Sequence, residues 1–277
     1  MSRWLNVLIA ILLTAGVALI LYPTIGEYIH SKKSATTIGD YHDVYVNTED
    51  DKIAEMLAQA DSYNYALRGV SSGLDGLTNV EGYNDILNPT GTGVMGYITI
   101  DKIGVEIPIY HGVDKGVLQL GAGHLEGSSL PVGGEGTHSV LSGHRGLPTA
   151  KLFTDLPELE IGDKFTITVL DRVITYEVDR ITVVLPEDVS TLGIEKGKDY
   201  CTLVTCTPYG INTHRLLVRG VRVNDNSGKM PVLFVSNEAF RINKAIVATV
   251  IAVPSFILLV VITNIIERRR TKNVRKK

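Results

Sequence analysis

From Gly93 to Val223 the chain is a succession of short strand-like runs cut apart by Gly, Pro and Asp, and this texture limits its fold more than any other feature. The runs are Gly96 to Ile100, Val105 to Tyr110, Thr137 to Leu141, Lys164 to Leu170, Val173 to Val184, Tyr200 to Cys206 and His214 to Val223. Seven or eight short strands with few helices between them predict a mainly β fold. Such strands avoid exposed edges by closing on themselves, so a closed or nearly closed seven- to eight-stranded β-barrel is expected over residues 93–225.

The last two runs carry the chemistry. Thr202 to Thr205 is β-branched and apolar, the chain breaks at Pro208 and Gly210, and a second extended run starts at Arg215. Two strands joined by a loop are expected, with Cys206 where the first ends and Arg215 where the second opens. A strand end holds a side chain rigidly while opening it to solvent. If the pair is antiparallel, a thiol and a permanent cation share one rim. Cys201 lies five residues before Cys206, about 16 Å away along an extended strand and on its opposite face, so a disulfide is excluded and Cys201 is expected in the core.

A thiol with an ordinary pKa of about 8.5 needs a base or a cationic partner to act as a nucleophile. His144, in Leu141-Ser142-Gly143-His144-Arg145-Gly146, follows a short strand and enters a glycine-flanked loop, another rim position. The competing readings are plain ones. Unpaired cysteines are usually inert packing groups, and of seven histidines His111, His124 and His138 read as core or loop residues, while His214 alternates to the face opposite Arg215. Arg219 and Arg222 read as solvated strand-edge charges.

These segments resemble the sortases, and among them the pilus-assembling class C sortases. The resemblance rests on Thr205-Cys206-Thr207-Pro208-Tyr209-Gly210-Ile211-Asn212-Thr213-His214-Arg215-Leu216, on the His144 segment, on Val94-Met95-Gly96-Tyr97-Ile98 and Pro108-Ile109-Tyr110-His111-Gly112, and on Gly123-His124-Leu125-Glu126-Gly127-Ser128-Ser129-Leu130-Pro131. It extends from about Gly93 to Arg222. It implies a cysteine transpeptidase that cleaves a Leu-Pro-x-Thr-Gly-like sorting signal through a thioester, which an amine then resolves. Cys206 would be the nucleophile, His144 the proton donor to the leaving amine, and Arg215 the holder of the substrate or its oxyanion. No cofactor or metal is implied. The partners implied are pilins or surface proteins bearing the sorting signal, with a pilin lysine as acceptor. Two alternatives are a cell-wall-anchoring sortase that uses a peptidoglycan-precursor amine and, further off, a membrane-tethered thiol hydrolase or a non-catalytic surface module. Class C sortases carry an Asp-Pro-aromatic lid; here the corresponding loop offers Asp75-Gly76-Leu77, so Asp75 and Leu77 are the lid candidates without the proline or the ring.

The rest of the chain frames this domain. Residues 1–22 hold an uncharged stretch, Trp4 to Tyr22, about 28 Å long as a helix, and 245–266 hold a second of about 33 Å; both are expected to span a membrane. No small-x-small pattern follows the first, so it is expected as a retained anchor and not a cleaved signal peptide. The basic tail 267–277 and Arg3 place both termini in the cytoplasm and the body outside, a two-pass arrangement at the cell surface. The tail holds all seven basic side chains beyond residue 244, which leaves the body with 19 basic against 29 acidic groups, no footprint for a nucleic acid. Residues 23–48 read as a spacer, 49–92 as an amphipathic helix followed by the lid-like loop, and 226–244 as a linker. In the helix Ile53, Met56, Leu57, Ala60, Tyr63, Asn64 and Leu67 recur at helical spacing behind Asp50 and Asp51.

Overall fold

The computed structural model describes residues 3–68 and 82–223. The chain divides into two compact units, one of Glu27–Phe234 and one that includes Met1–Gly26; all that follows on the barrel and the site concerns the first. Two helices, α1 (Arg3–Val46) and α2 (Asp50–Leu67), precede eight strands: β1 (Val94–Ile100), β2 (Val105–His111), β3 (Ala122–His124), β4 (Thr137–Ser142), β5 (Lys164–Val169), β6 (Arg172–Val184), β7 (Asp199–Thr207) and β8 (His214–Arg222). A four-residue helix, α3 (Lys115–Leu118), lies between β2 and β3.

The expected closed barrel is present, in the order β1-β2-β3-β4-β7-β8-β6-β5, with β1 returning to β5. Most neighbours are antiparallel, but β2 with β3 and β4 with β7 run parallel. The second of these joins strands far apart in sequence. Its register runs from Thr137 opposite Asp199 to Ser142 opposite Val204. Strand β3 had no counterpart among the expected runs: Ala-Gly-His has no β-branched signature, and pairing on both sides with β2 and β4 makes it a strand.

Side-chain alternation separates two faces. Cys201 and Leu203 on β7, with Leu216 and Val218 on β8, join Ile98, Ile109, Phe165, Ile167 and Tyr176 inside the barrel. Phe165 and Tyr176 stack with ring centroids 5.5 Å apart. Full burial of each such aliphatic or aromatic side chain contributes about 1.5–3 kcal/mol.

Helix α2 packs as its periodicity requires, burying Ile53, Leu57, Ala60, Tyr63, Asn64 and Leu67, with Asp50 and Asp51 in its first turn. The buried Asn64 amide is paired at both ends: its Nδ2 donates to the Leu130 carbonyl at 3.1 Å and its Oδ1 accepts from the Leu130 amide at 2.7 Å. The spacer expected over 23–48 is instead helical as far as Val46. Ser34, Ile38 and Tyr41 are its buried residues, and the Tyr41 hydroxyl both donates to the Met95 carbonyl at 2.8 Å and accepts from the Leu170 amide at 2.9 Å. Those anchors fall three and four residues apart, the helical spacing that scattered charges around them concealed.

The membrane-spanning helix expected in residues 1–22 is not supported. Among the described residues no helix is long and apolar enough to cross a membrane, and the apolar stretch leads into a helix that continues through charged and polar sequence. The second expected span, 245–266, lies outside the described residues, as do the linker and tail.

Candidate active site

The site is assembled on one rung of the outer face. Cys206, the penultimate residue of β7, pairs with Arg215 on β8, which in turn pairs with Val184 at the end of β6. Directly opposed residues of an antiparallel pair project to the same side, so the thiol and the guanidinium share the outer rim. On the other flank β4 ends at Ser142 opposite Val204; the parallel register, carried two residues further, brings His144 to the rung of Cys206. Two hydrogen bonds keep that extension in place. The Gly143 amide donates to the Val204 carbonyl at 3.0 Å, and the Thr205 hydroxyl donates to the Gly143 carbonyl at 2.8 Å. Gly143 is required there, because a Cβ would stand 2.5 Å from the Phe153 ring.

The two cysteines differ as their parity demands. Both are free; Cys201 is buried in the core, where burial pushes its thiol pKa well up, and Cys206 is half-buried at the rim. His144 is half-buried, with its pKa lowered first by that burial and then by the charge of Lys115, so the neutral imidazole prevails at neutral pH. Arg215 Nη1 donates to the carbonyls of Asn212 at 3.3 Å and His214 at 3.1 Å. Among the described residues it has no carboxylate partner. Neutral carbonyls leave a guanidinium with donors and charge to spare for an anion.

Sequence reasoning missed Arg145 and Tyr209 as working parts. Arg145 holds its own loop through Nε to the Thr154 carbonyl at 3.2 Å, and reaches β7 through Nη1 to the Thr207 hydroxyl at 3.3 Å. Its guanidinium also lies 5.6 Å from the centroid of the Tyr209 ring. That ring packs against Gly146, whose φ of +85° and whose clearance of 3.0 Å to a Cβ both favour glycine. The residue after His144 therefore grips the residue after Cys206. The signal in the sequence was the adjacency of Arg145 to His144 and of Thr207 to Cys206.

Below the rung the outer face is apolar. Val140 and Leu217 are buried under Leu192 from the β6–β7 connection, with Leu125, Val184, Val189 and Val204 half-buried around them. Further along the same face Arg219, expected as a solvated edge charge, is buried and fully engaged: Nε and Nη2 bind the two Asp179 oxygens at 3.0 and 2.7 Å, and Nη1 reaches Glu195 at 3.3 Å. His214, expected on the other side from Arg215, pairs with Thr207 and meets the Thr213 hydroxyl at 2.9 Å. His111, His124 and His138 are buried and hydrogen-bonded away from the rung. The lid-like loop expected around Asp75 and Leu77 lies outside the described residues.

This architecture has known relatives. The family model for the sortase domain matches residues 98–223. Sortase D of Bacillus subtilis (strain 168) is 34% identical over 131 residues, 46% of this chain and 63% of that protein. The match thus spans just under two thirds of that relative's length. Among solved structures, sortase C1 of Streptococcus agalactiae is 47% identical with a TM-score of 0.65, and the match covers 69% of this chain and all of that one. Sortase C of Streptococcus pneumoniae is 41% identical with a TM-score of 0.64, covering 71% of this chain and all of the other. Sortase C of Clostridium perfringens is 42% identical with a TM-score of 0.60, covering 69% and 99%. The chain belongs to the sortase family, the cysteine transpeptidases of the cell surface, and its structural neighbours are class C sortases.

Proposed function

We propose that this chain is a pilus-building sortase, in which Cys206 attacks the carbonyl of a Leu-Pro-x-Thr-Gly-like sorting signal and a pilin lysine resolves the thioester. The observation that carries the reading is the pairing of Cys206 with Arg215, flanked by a parallel β4–β7 register that, extended two residues past Ser142 opposite Val204, leads to His144. A neutral imidazole accepts the Cys206 proton as sulfur bonds to the carbonyl carbon. As the C–N bond breaks, His144 returns that proton to the leaving amine, and its lowered pKa makes the imidazolium a stronger acid for this second role. Arg215 stabilises the oxyanion between those events, since its guanidinium keeps its charge throughout. The half-buried Val204, Val184 and Leu125 beside the rung offer an apolar seat for the leucine of the signal.

Two neighbours support the substrate class. The Clostridium perfringens structure is of sortase C with the C-terminal cell wall sorting motif, and the pneumococcal one bears on pilin substrate specificity. The test is incubation of the protein with a sorting-signal peptide, with and without a lysine-bearing pilin segment. A thioester on Cys206 and an isopeptide product that needs the lysine are expected. A product formed only with a peptidoglycan-like amine would assign cell-wall anchoring, and release to water alone would assign hydrolysis. Cys206→Ala should abolish the thioester, whereas Cys201→Ala, altering only the interior, should retain it; equal loss in two folded variants would refute the assignment.

A further inference from the structure

We propose that Arg219, Glu195 and His138 are positioning residues that fasten the β6–β7 connection as a pre-set wall of the sorting-signal groove, and so set the affinity for the donor peptide. The inference rests on the function proposed above. Residues 185–198 leave β6 after Val184, on the rung of Cys206 and Arg215, and return at the start of β7 without a helix or strand of their own. A connection of this length loses much backbone entropy on ordering, so something must hold it. Leu192 is its one buried large apolar side chain, covering Val140 and Leu217 next to the half-buried Val204.

Ile194 and Val189 add partly buried apolar contacts, and the polar hold sits directly beside Leu192. His138 is 1% exposed; its Nδ1–H donates to the Gly193 carbonyl at 2.9 Å, while its Nε2 accepts the Thr202 hydroxyl proton at 2.7 Å. Arg219 is a fixed post, clasped by both oxygens of Asp179 and lying 4.0 Å over the Tyr200 ring. It keeps Nη1 for Glu195, whose other oxygen accepts from the Tyr200 hydroxyl at 3.4 Å. Two successive fasteners, at 193 and 195, thus fix the segment that carries Leu192. None of these groups touches Cys206, His144 or Arg215, so the wall governs binding while the rung governs chemistry.

The arrangement needs a neutral His138. Burial lowers its pKa first, opposed by the Gly193 hydrogen bond; Arg219 lowers it further, while Glu195 and Asp179 act in the other direction and the Tyr200 ring packs edge-on at 5.6 Å. An imidazolium formed at low pH therefore stands beside Arg219 and turns a proton toward the Thr202 hydroxyl, loosening the fastener.

The test is steady-state kinetics of the full chain on a Leu-Pro-x-Thr-Gly peptide. Glu195→Gln, at a side chain 54% exposed, keeps the shape of the residue and removes its charge. We expect KM to rise about fivefold with kcat within twofold and with alkylation of Cys206 by iodoacetamide unchanged. In the wild type KM should also rise as pH falls below the ordinary imidazole range, a dependence that His138→Gln should flatten. An unchanged KM in Glu195→Gln, or kcat and alkylation falling together with it, overturns the proposal. If the wild type is alkylated at Cys206 yet cleaves no sorting peptide, the functional reading fails and not the wall. Hydrogen exchange over residues 185–198 then decides: faster exchange in Glu195→Gln supports the fastening, and unchanged exchange overturns it.

Discussion

Arg215 and Arg219 stand on the same strand and the same face, four residues apart, and their surroundings are opposites. Arg219 has a carboxylate bound to two of its nitrogens, a second carboxylate on the third, and a ring beneath it. Arg215 has two backbone carbonyls of its own loop, and exposed apolar side chains, Ile211, Val183 and Leu185, nearby in the chain or across the ladder. A guanidinium already neutralised by acids has nothing left to offer an anion. Among the described residues Arg215 meets only neutral dipoles and keeps charge for an anion, which under the proposed function is the substrate oxyanion. Position on a strand does not separate an engaged arginine from an available one; the presence of an acid does.

The comparison breaks most sharply by exchanging what each arginine can do. Arg215→Lys should lower kcat for the sorting peptide by about 100- to 1000-fold, since one ammonium cannot reproduce the guanidinium fork, with the melting temperature unchanged. Full activity would show that charge alone suffices at the rim. Arg219→Gln should do the reverse, leaving alkylation of Cys206 intact and reducing unfolding free energy by about 1–3 kcal/mol, because it strands the Asp179 carboxylate. Urea denaturation reads this directly.

The enclosed polar groups also sharpen the comparison through pH. His124 is wholly enclosed, Nε2 against the Ser129 carbonyl at 2.9 Å and Nδ1 against the Tyr83 hydroxyl at 2.7 Å, and burial pulls its pKa from 6.5 down to about 4. A folded-state pKa below the unfolded one means that the unfolded chain takes up the proton first. Stability is then complete above about pH 6.5 and declines as pH falls toward 4, by about 3 kcal/mol from this one group. His30, His138 and His144, whose pKa values are also lowered, add to the same slope. Urea midpoints at pH 7, 5.5 and 4 should fall in that order, and a flat profile would mean that these histidines are not held neutral. The smallest effect expected is at the half-open Arg145. Arg145→Ala should lower kcat about tenfold with KM unchanged, and Tyr209→Phe, which keeps the ring, should be nearly silent while Tyr209→Ala follows Arg145→Ala.

Much of this is legible in the sequence. The β-branched runs marked seven of the eight strands within a residue or two, because short apolar runs bounded by Gly and Pro have few other uses. The parity of Cys201 and Cys206 predicted which one is enclosed, and the register pairs Cys206 with Arg215, two of the residues singled out by motif. Arg219 was misread for a definable reason. Its carboxylate partner comes from β6, where the register shifts between Val178 and Arg180 and leaves Asp179 as the extra residue. A bulge of that kind belongs to the pairing of two strands and leaves no mark in either strand's own pattern. The helical anchors Ser34, Ile38 and Tyr41 were hidden for the opposite reason: three buried residues among many charges make too thin a stripe to read as amphipathic.

The parallel pairing of β4 with β7 has a consequence for how the protein matures. The residues that link His144's loop to the end of β7, Gly143 with Thr205 and Arg145 with Thr207, are 62 positions apart in the chain. Contacts of that separation form only after a long loop has closed, and they slow folding. A folding chain whose seventh strand has yet to find the fourth carries the Cys206 thiol without His144 beside it. Under the proposed function, capture of a sorting signal therefore requires the β4–β7 pairing to be in place, which keeps an unfinished chain from taking substrate.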